Sequence, residues 1–126
     1  MDKLRILIAD DSLIILKKLT QVFEGMGHTV VKTVRTGREV VENYSPQTVD
    51  LVSMDITMPD MDGIEATAKI KEINPDAKVM VVTSHGQEQM IVKAIDAGAV
   101  GYILKPFDKD KIANMIDKIL KGDTDS

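Results

Sequence analysis

The chain of 126 residues is 44% hydrophobic and 29% charged, carries a formal charge of −4, and has no cysteine. That length and balance describe one soluble globular domain with its own core and exclude a disordered chain, while the missing cysteine excludes disulfide and thiolate chemistry. The lysines are dispersed and form no dense basic run, which argues against a nucleic-acid surface.

Leu4 to Asp10 (LRILIAD) is a nearly continuous apolar run, as in a strand buried on both faces. It is far too short for a signal peptide or a membrane span, which need about 7–15 and about 20 apolar residues, so a cytoplasmic location is expected. Asp10 and Asp11 stop the run, and Ser12 is a good N-cap. Leu13, Leu16, Leu19, Thr20 and Phe23 then fall at helical spacing before Gly25 and Gly27. His28 precedes the β-branched strand TVVKTV and is expected to be exposed. Thr36 caps a second helix with Val40, Val41 and Tyr44, ended by Ser45-Pro46.

Val49 to Met54 reads as a third strand, stopped at Asp55. An unpaired carboxylate is costly to bury, so Asp55 belongs at a strand end open to solvent. Asp60 and Asp62 read as turn and cap residues. Gly63 opens a third helix with Ile64, Ala68, Ile70 and Ile73, stopped by Asn74-Pro75. AKVMVVT is a fourth strand ending at Thr83. Gln87 to Ala97 is a fourth helix, with Met90, Ile91, Ala94 and Ile95 as its apolar face and Gly98 as its stop. VGYILK is a fifth strand ending at Lys105. Asp108 opens the last helix, with Ile112, Met115, Ile116, Ile119 and Leu120 inward, and residues 122–126 are a frayed tail.

Strict strand–helix alternation implies an α/β fold: a five-stranded parallel sheet, doubly wound, with helices on both faces. A parallel sheet gathers its carboxyl ends on one edge, where ligands bind in such folds. Read in order, those ends carry Asp10 and Asp11, then Asp55, Thr83 and Lys105; the second strand contributes nothing distinctive. Clustered carboxylates repel one another, and a hard cation such as Mg²⁺ relieves this through oxygen ligands and water. Asp11 and Asp55 suit direct ligation, Asp10 ligation through water, and a loop carbonyl such as that of Thr57 completes the set. A metal, a lysine and a hydroxyl around one carboxylate form a phosphoryl-transfer arrangement, with Asp55 as nucleophile, Lys105 pairing with the phosphoryl group and Thr83 donating to it.

Taken singly, each residue has an ordinary explanation: a turn or cap aspartate, a strand-end threonine, a solvated lysine, a loop histidine at His85 beside the pliant Gly86, a half-exposed strand tyrosine at Tyr102. Their joint placement at successive strand ends outweighs those explanations. An aspartyl-phosphate phosphatase lacks support, because the second Asp of a DxDxT motif is missing and no cap domain is present. A flavin-binding domain lacks it too, since the first strand–helix loop is acidic where a phosphate-binding loop needs glycines and hydroxyls.

The motifs ADD at 9–11, MDITMPDMDG at 54–63, VTS at 82–84 and KPF at 105–107 resemble the receiver domain of two-component response regulators. The likeness covers residues 4–121 of a single domain spanning 1–126, and is strongest to single-domain chemotaxis members of the family. It implies strand order 2-1-3-4-5, and a switch that accepts a phosphoryl group on Asp55 from a histidine kinase (CheA-like) with Mg²⁺ held by Asp10, Asp11, Asp55 and the Thr57 carbonyl. It further implies a salt bridge from Lys105, a cis Lys105–Pro106 bond, and Thr83 and Tyr102 as the switch pair. Thr57 and His85 stand at positions held to set phosphoryl lifetime. The expected partners are the kinase, a flagellar motor switch protein docking on the fourth helix, fifth strand and fifth helix, and a phosphatase; nucleic acid and membrane are not expected. Such a protein catalyses only its own phosphorylation and dephosphorylation. The alternative is a single-domain receiver of a phosphorelay or other pathway; without a DNA-binding domain, a transcription factor is not expected.

Overall fold

Apolar strands and capped helices alternate along the chain. A computed structural model describes residues 3–122. The elements are β1 (Arg5–Ala9), α1 (Leu13–Gly25), β2 (Thr29–Val34), α2 (Gly37–Asn43), β3 (Leu51–Met54), α3 (Gly63–Ile73), β4 (Val79–Thr83), α4 (Glu88–Asp96), β5 (Gly101–Leu104) and α5 (Lys109–Lys121). All four strand pairings are parallel and the order is β2-β1-β3-β4-β5, as expected.

Burial follows from this layering. β3 and β4 are covered on both faces, and every residue in them is buried, so their sequences are apolar almost throughout. One core packs Leu16, Leu19 and Phe23 of α1 and Ile112, Ile116 and Ile119 of α5 against Ile6, Ile8, Met80 and Val82. A second packs Val40 of α2 and Ala66 and Ile70 of α3 against Leu7, Val52 and Met54. Side-chain oxygens of Ser12, Thr36, Asp62 and Asp108 each accept from a backbone N–H in the first turn of their helix.

Several expected details differ. Val49 precedes β3 and is held in a turn by its N–H bond to the Ser45 carbonyl, 2.9 Å. Leu13, Ile73, Ile95 and Leu120 are exposed. Each lies at the border of its helix's apolar stripe or in a terminal turn, where the sheet no longer covers it. The contact of α4 is shallow: Ala94 is its one buried residue, and its N-cap Gln87 makes no side-chain cap bond. Of the expected tail, Gly122 is the left-handed cap of α5 at φ 74°, and residues 123–126 lie outside the described residues.

His28 is buried, not exposed, at 5%. Its N–H donates to the Phe23 carbonyl at the end of α1, and Thr29 N–H donates to the Leu4 carbonyl. Together these bonds fold the turn onto the start of β1. The Leu4 N–H donates to His28 Nδ1 at 3.1 Å, so the neutral ring carries its proton on Nε2, which has no partner. Burial lowers the His28 pKa from its usual value. The unfolded chain therefore binds a proton that the folded one resists, and stability falls as pH drops below about 6.5. Urea unfolding between pH 7 and pH 5 is expected to show this loss in the wild type and a shallower one in His28→Gln.

Candidate functional site

The sheet's hydrogen-bond ladder runs one residue past the strands. Asp10 N–H donates to the Val34 carbonyl, Asp55 N–H to the Ala9 carbonyl and Lys105 N–H to the Thr83 carbonyl, at 3.1, 2.9 and 2.8 Å. These bonds hold the first residue after β1, β3 and β5 at fixed places on one edge. Asp10, Asp11 and Asp55 each bring a carboxylate oxygen within 4.8 Å of the others.

Asp55 is buried at 7% exposure and Asp10 at 1%, which corrects the expectation of an acceptor open to solvent. Compensation for these charges comes from across the sheet. Lys105 Nζ donates to Asp10 Oδ2 at 2.8 Å and to Asp55 Oδ2 at 3.4 Å. Backbone donors occupy the remaining oxygens: Ser12 N–H on Asp10 Oδ1 and Ile56 N–H on Asp55 Oδ1, at 2.9 and 2.8 Å. Charge-assisted bonds of this kind are what make buried carboxylates tolerable.

The loop after β3 turns back on the end of its own strand. Asp60 turns it at φ 68°, and Gly63 N–H returns to the Ile56 carbonyl at 2.7 Å. A Cβ on Gly63 would overlap the Asp55 carbonyl, so glycine here is a matter of close backbone approach.

Burial, and then the Asp10 charge, push the Asp55 carboxyl above its ordinary pKa, with Lys105 and the Ile56 N–H pulling the other way. For Lys105, burial opposes the charge, but its bond to Asp10 and the charges of Asp55 and Asp10 outweigh this and raise its pKa. Three carboxylates thus face one ammonium. Asp11 is exposed, whereas both Asp10 oxygens are already committed. This all-oxygen donor set suits a hard divalent cation.

Arg35 was not anticipated. Its Nη2 donates to the Asp11 carbonyl at 2.9 Å, so the end of β2 does contribute to the site. The signal was its position, one residue after a strand that pairs beside Asp10.

Thr83 is fully buried and its Oγ1 accepts from His85 N–H at 3.3 Å. Tyr102 is half-buried, and its hydroxyl donates to the His85 carbonyl at 2.6 Å. Burial and the Asp55 charge raise the Tyr102 pKa, which places the phenol within electrostatic reach of the site. Thr57 is exposed in the β3–α3 loop, and its Oγ1 lies 2.6 Å from His85 Nε2. The Lys105–Pro106 bond is cis, as the resemblance implies.

Residues 6–117 match the family model of the response regulator receiver domain. The chain is 42% identical to the chemotaxis protein CheY of Treponema pallidum over 119 residues, covering 93% of this chain and 83% of that protein. It is similar in structure to a chain of the CheX-CheY-BeF3-Mg+2 complex from Borrelia burgdorferi, with TM-score 0.89 and 34% identity over 93% of this chain and 89% of that one. It is equally similar to a LuxR-family two-component response regulator from Aurantimonas, with TM-score 0.89 and 33% identity over 96% of this chain and 87% of that one.

Two outcomes follow from the charge balance. Lys105→Ala strands the Asp10 carboxylate, only 1% exposed, and is expected to cost the metal-free protein about 3 kcal/mol in chemical unfolding. The raised Asp55 pKa means that the folded state pays for ionisation at neutral pH. Asp55→Asn is therefore expected to raise the melting temperature of the metal-free protein at pH 7, by about 4 °C per kcal/mol relieved. Calorimetry should show this gain vanish as pH falls towards about 3.9, where the wild-type carboxyl is itself protonated.

Proposed function

Because the chain belongs to the response regulator receiver domain family, we propose that it is a phosphorylation-activated signalling switch with Asp55 as phosphoacceptor, acting in chemotaxis. The observation that carries this reading is the Lys105 ammonium shared by Asp10 and Asp55, a positive charge waiting beside a buried nucleophile.

One Asp55 oxygen attacks the phosphorus of a kinase phosphohistidine; the O–P bond forms, the P–N bond breaks, and the imidazole leaves. Lys105, 3.4 Å from Asp55 Oδ2, neutralises charge on the transferring oxygens. Thr83 Oγ1 already accepts from His85 N–H, which leaves its own proton to donate to a phosphoryl oxygen. Asp11, Asp55 and the Thr57 carbonyl would hold Mg²⁺, with Asp10 reaching it through water. The ion supplies charge neutralisation at the phosphoryl group. The chain's own chemistry is confined to gaining and losing this group; it transforms no other molecule.

Thr83 and Tyr102 are the switch pair. Both bond to His85, so a change at Thr83 reaches the tyrosine through one residue of the β4–α4 loop. The output surface is the face of α4, β5 and α5, where Val92, Ile95, Leu104 and Leu120 leave apolar side chains exposed. The chemotaxis reading rests on likeness to chemotaxis proteins over 92–93% of this chain, and it names a CheA-like histidine kinase, a flagellar motor switch protein and a phosphatase as partners. No helix among the described residues is long and apolar enough to cross a membrane, in keeping with a cytoplasmic site of action. Equal structural likeness to a LuxR-family regulator favours a second reading, a receiver serving a phosphorelay or another pathway.

Incubation with acetyl phosphate and Mg²⁺, read by intact mass, is expected to add one phosphoryl group to the wild type and none to Asp55→Asn. An adduct of equal yield on the variant would place the acceptor elsewhere.

A further inference from the structure

Of the three clustered carboxylates, Asp11 alone has no side-chain bond among the described residues. Asp10 and Asp55 each accept from Lys105 on one oxygen and from a backbone N–H on the other. Asp11 is exposed, so its backbone alone limits where its carboxylate can reach. The hold on that backbone therefore bears on the whole cluster.

Asp11 is the single residue between Asp10, fixed by its ladder bond to Val34, and Ser12, the N-cap of α1. Its peptide link to Ser12 is gripped at both ends. Ser12 N–H donates to Asp10 Oδ1 at 2.9 Å, and Arg35 Nη2 donates to the Asp11 carbonyl at 2.9 Å. The first is a backbone donor that any residue but proline supplies. The second needs a long cationic donor at position 35.

The base of that arginine is itself fixed. Arg35 N–H donates to Glu39 Oε1 at 3.1 Å, and Glu39 N–H donates to the N-cap oxygen Thr36 Oγ1 at 3.0 Å, a reciprocal capping arrangement at the start of α2. Next to it, a Cβ on Gly37 would overlap the Met61 carbonyl, so α2 begins directly against the backbone of the β3–α3 loop. The choice of acceptor also matters. Arg35 makes no ion pair among the described residues. A guanidinium on the Asp11 carboxylate would compete with a cation for it. On the carbonyl, it restrains the residue and leaves both carboxylate oxygens available.

From this geometry we infer that Arg35 is a positioning residue for the cation site: it clamps the Asp11–Ser12 peptide, keeps the Asp11 carboxylate with Asp10 and Asp55, and so raises the affinity for a divalent cation. The inference rests on the reading of these three aspartates as a cation site. Partners that orient a metal ligand are typically worth about 10- to 100-fold in affinity. This clamp is exposed, and water replaces it when the arginine is lost, so its effect falls at the low end. The guanidinium charge also repels a cation, but salt screens that repulsion between exposed groups and leaves the clamp in place.

Mn²⁺, which shares the oxygen-ligand preference of Mg²⁺, is titrated into the full chain at about 0.15 M salt. Free Mn²⁺ is read by electron paramagnetic resonance. Arg35→Ala is expected to weaken binding about tenfold. Arg35→Lys keeps a charged donor on a long stem and is expected to recover most of that loss. Unchanged or tighter binding by Arg35→Ala would overturn the clamp, tighter binding showing that repulsion outweighs it, and would leave the cation site standing. A lysine variant as weak as the alanine one would assign the loss to a loosened loop and overturn the clamp as well. A wild type that binds no Mn²⁺ removes both the clamp and the cation site.

Discussion

Everything at the carboxyl edge of this sheet depends on one ammonium. Lys105 bonds to Asp10 at 2.8 Å and to Asp55 at 3.4 Å, and without it two buried carboxylates would face each other unneutralised. A buried charge is retained only when it is paired and hydrogen-bonded, and here the pairing crosses the sheet from β5 to β1. The balance is deliberately incomplete, because Asp11 brings a third carboxylate to the cluster. An edge with three clustered carboxylates and one ammonium between two of them suits a divalent cation, and then a phosphoryl group, as further members of the same cluster.

The fold supplies the precision. Ladder bonds that continue past β1, β3 and β5 fix the backbone of Asp10, Asp55 and Lys105, and rigid elements hold a reacting group better than loops do. The adaptable parts are set around this frame. The β4–α4 loop hangs on bonds to Thr83, Tyr102 and Thr57, and α4 behind it is shallowly packed with one buried residue. A weakly anchored helix beside a site that changes charge is a natural bistable element. On the proposed reading of Asp55, His85 is the link between the site and that surface, since it bonds to both Thr83 and Tyr102.

Much of this was legible in the residues. Strand–helix alternation and apolar runs ending in Asp or Lys determine a parallel sheet and its charged edge, and capping residues Ser12, Thr36, Asp62 and Asp108 marked four helix starts. Other features had no linear signal. The β3–α3 loop folds back so that Gly63 meets the backbone carbonyl of Asp55, a close approach that spacing does not reveal. Arg35 acts through a guanidinium that reaches sideways to a backbone carbonyl. His28 is buried because the α1–β2 turn closes onto Leu4, whereas a histidine before a strand usually faces water. The apolar stripes of helices were read correctly at their centres, and failed at Leu13, Ile73, Ile95 and Leu120, where sheet coverage ends.

The central claim is that Asp55, embedded among Asp10, Asp11 and Lys105, accepts a tetrahedral phosphoryl-like anion with the help of Mg²⁺. Fluorine NMR of the protein with beryllofluoride tests it most directly, since this mimic needs a free carboxylate and is not hydrolysed. Protein-bound fluorine resonances that require Mg²⁺ and disappear in Asp55→Asn are the predicted result. Bound resonances that persist in the variant, or a wild type that binds none with Mg²⁺ present, would contradict the account.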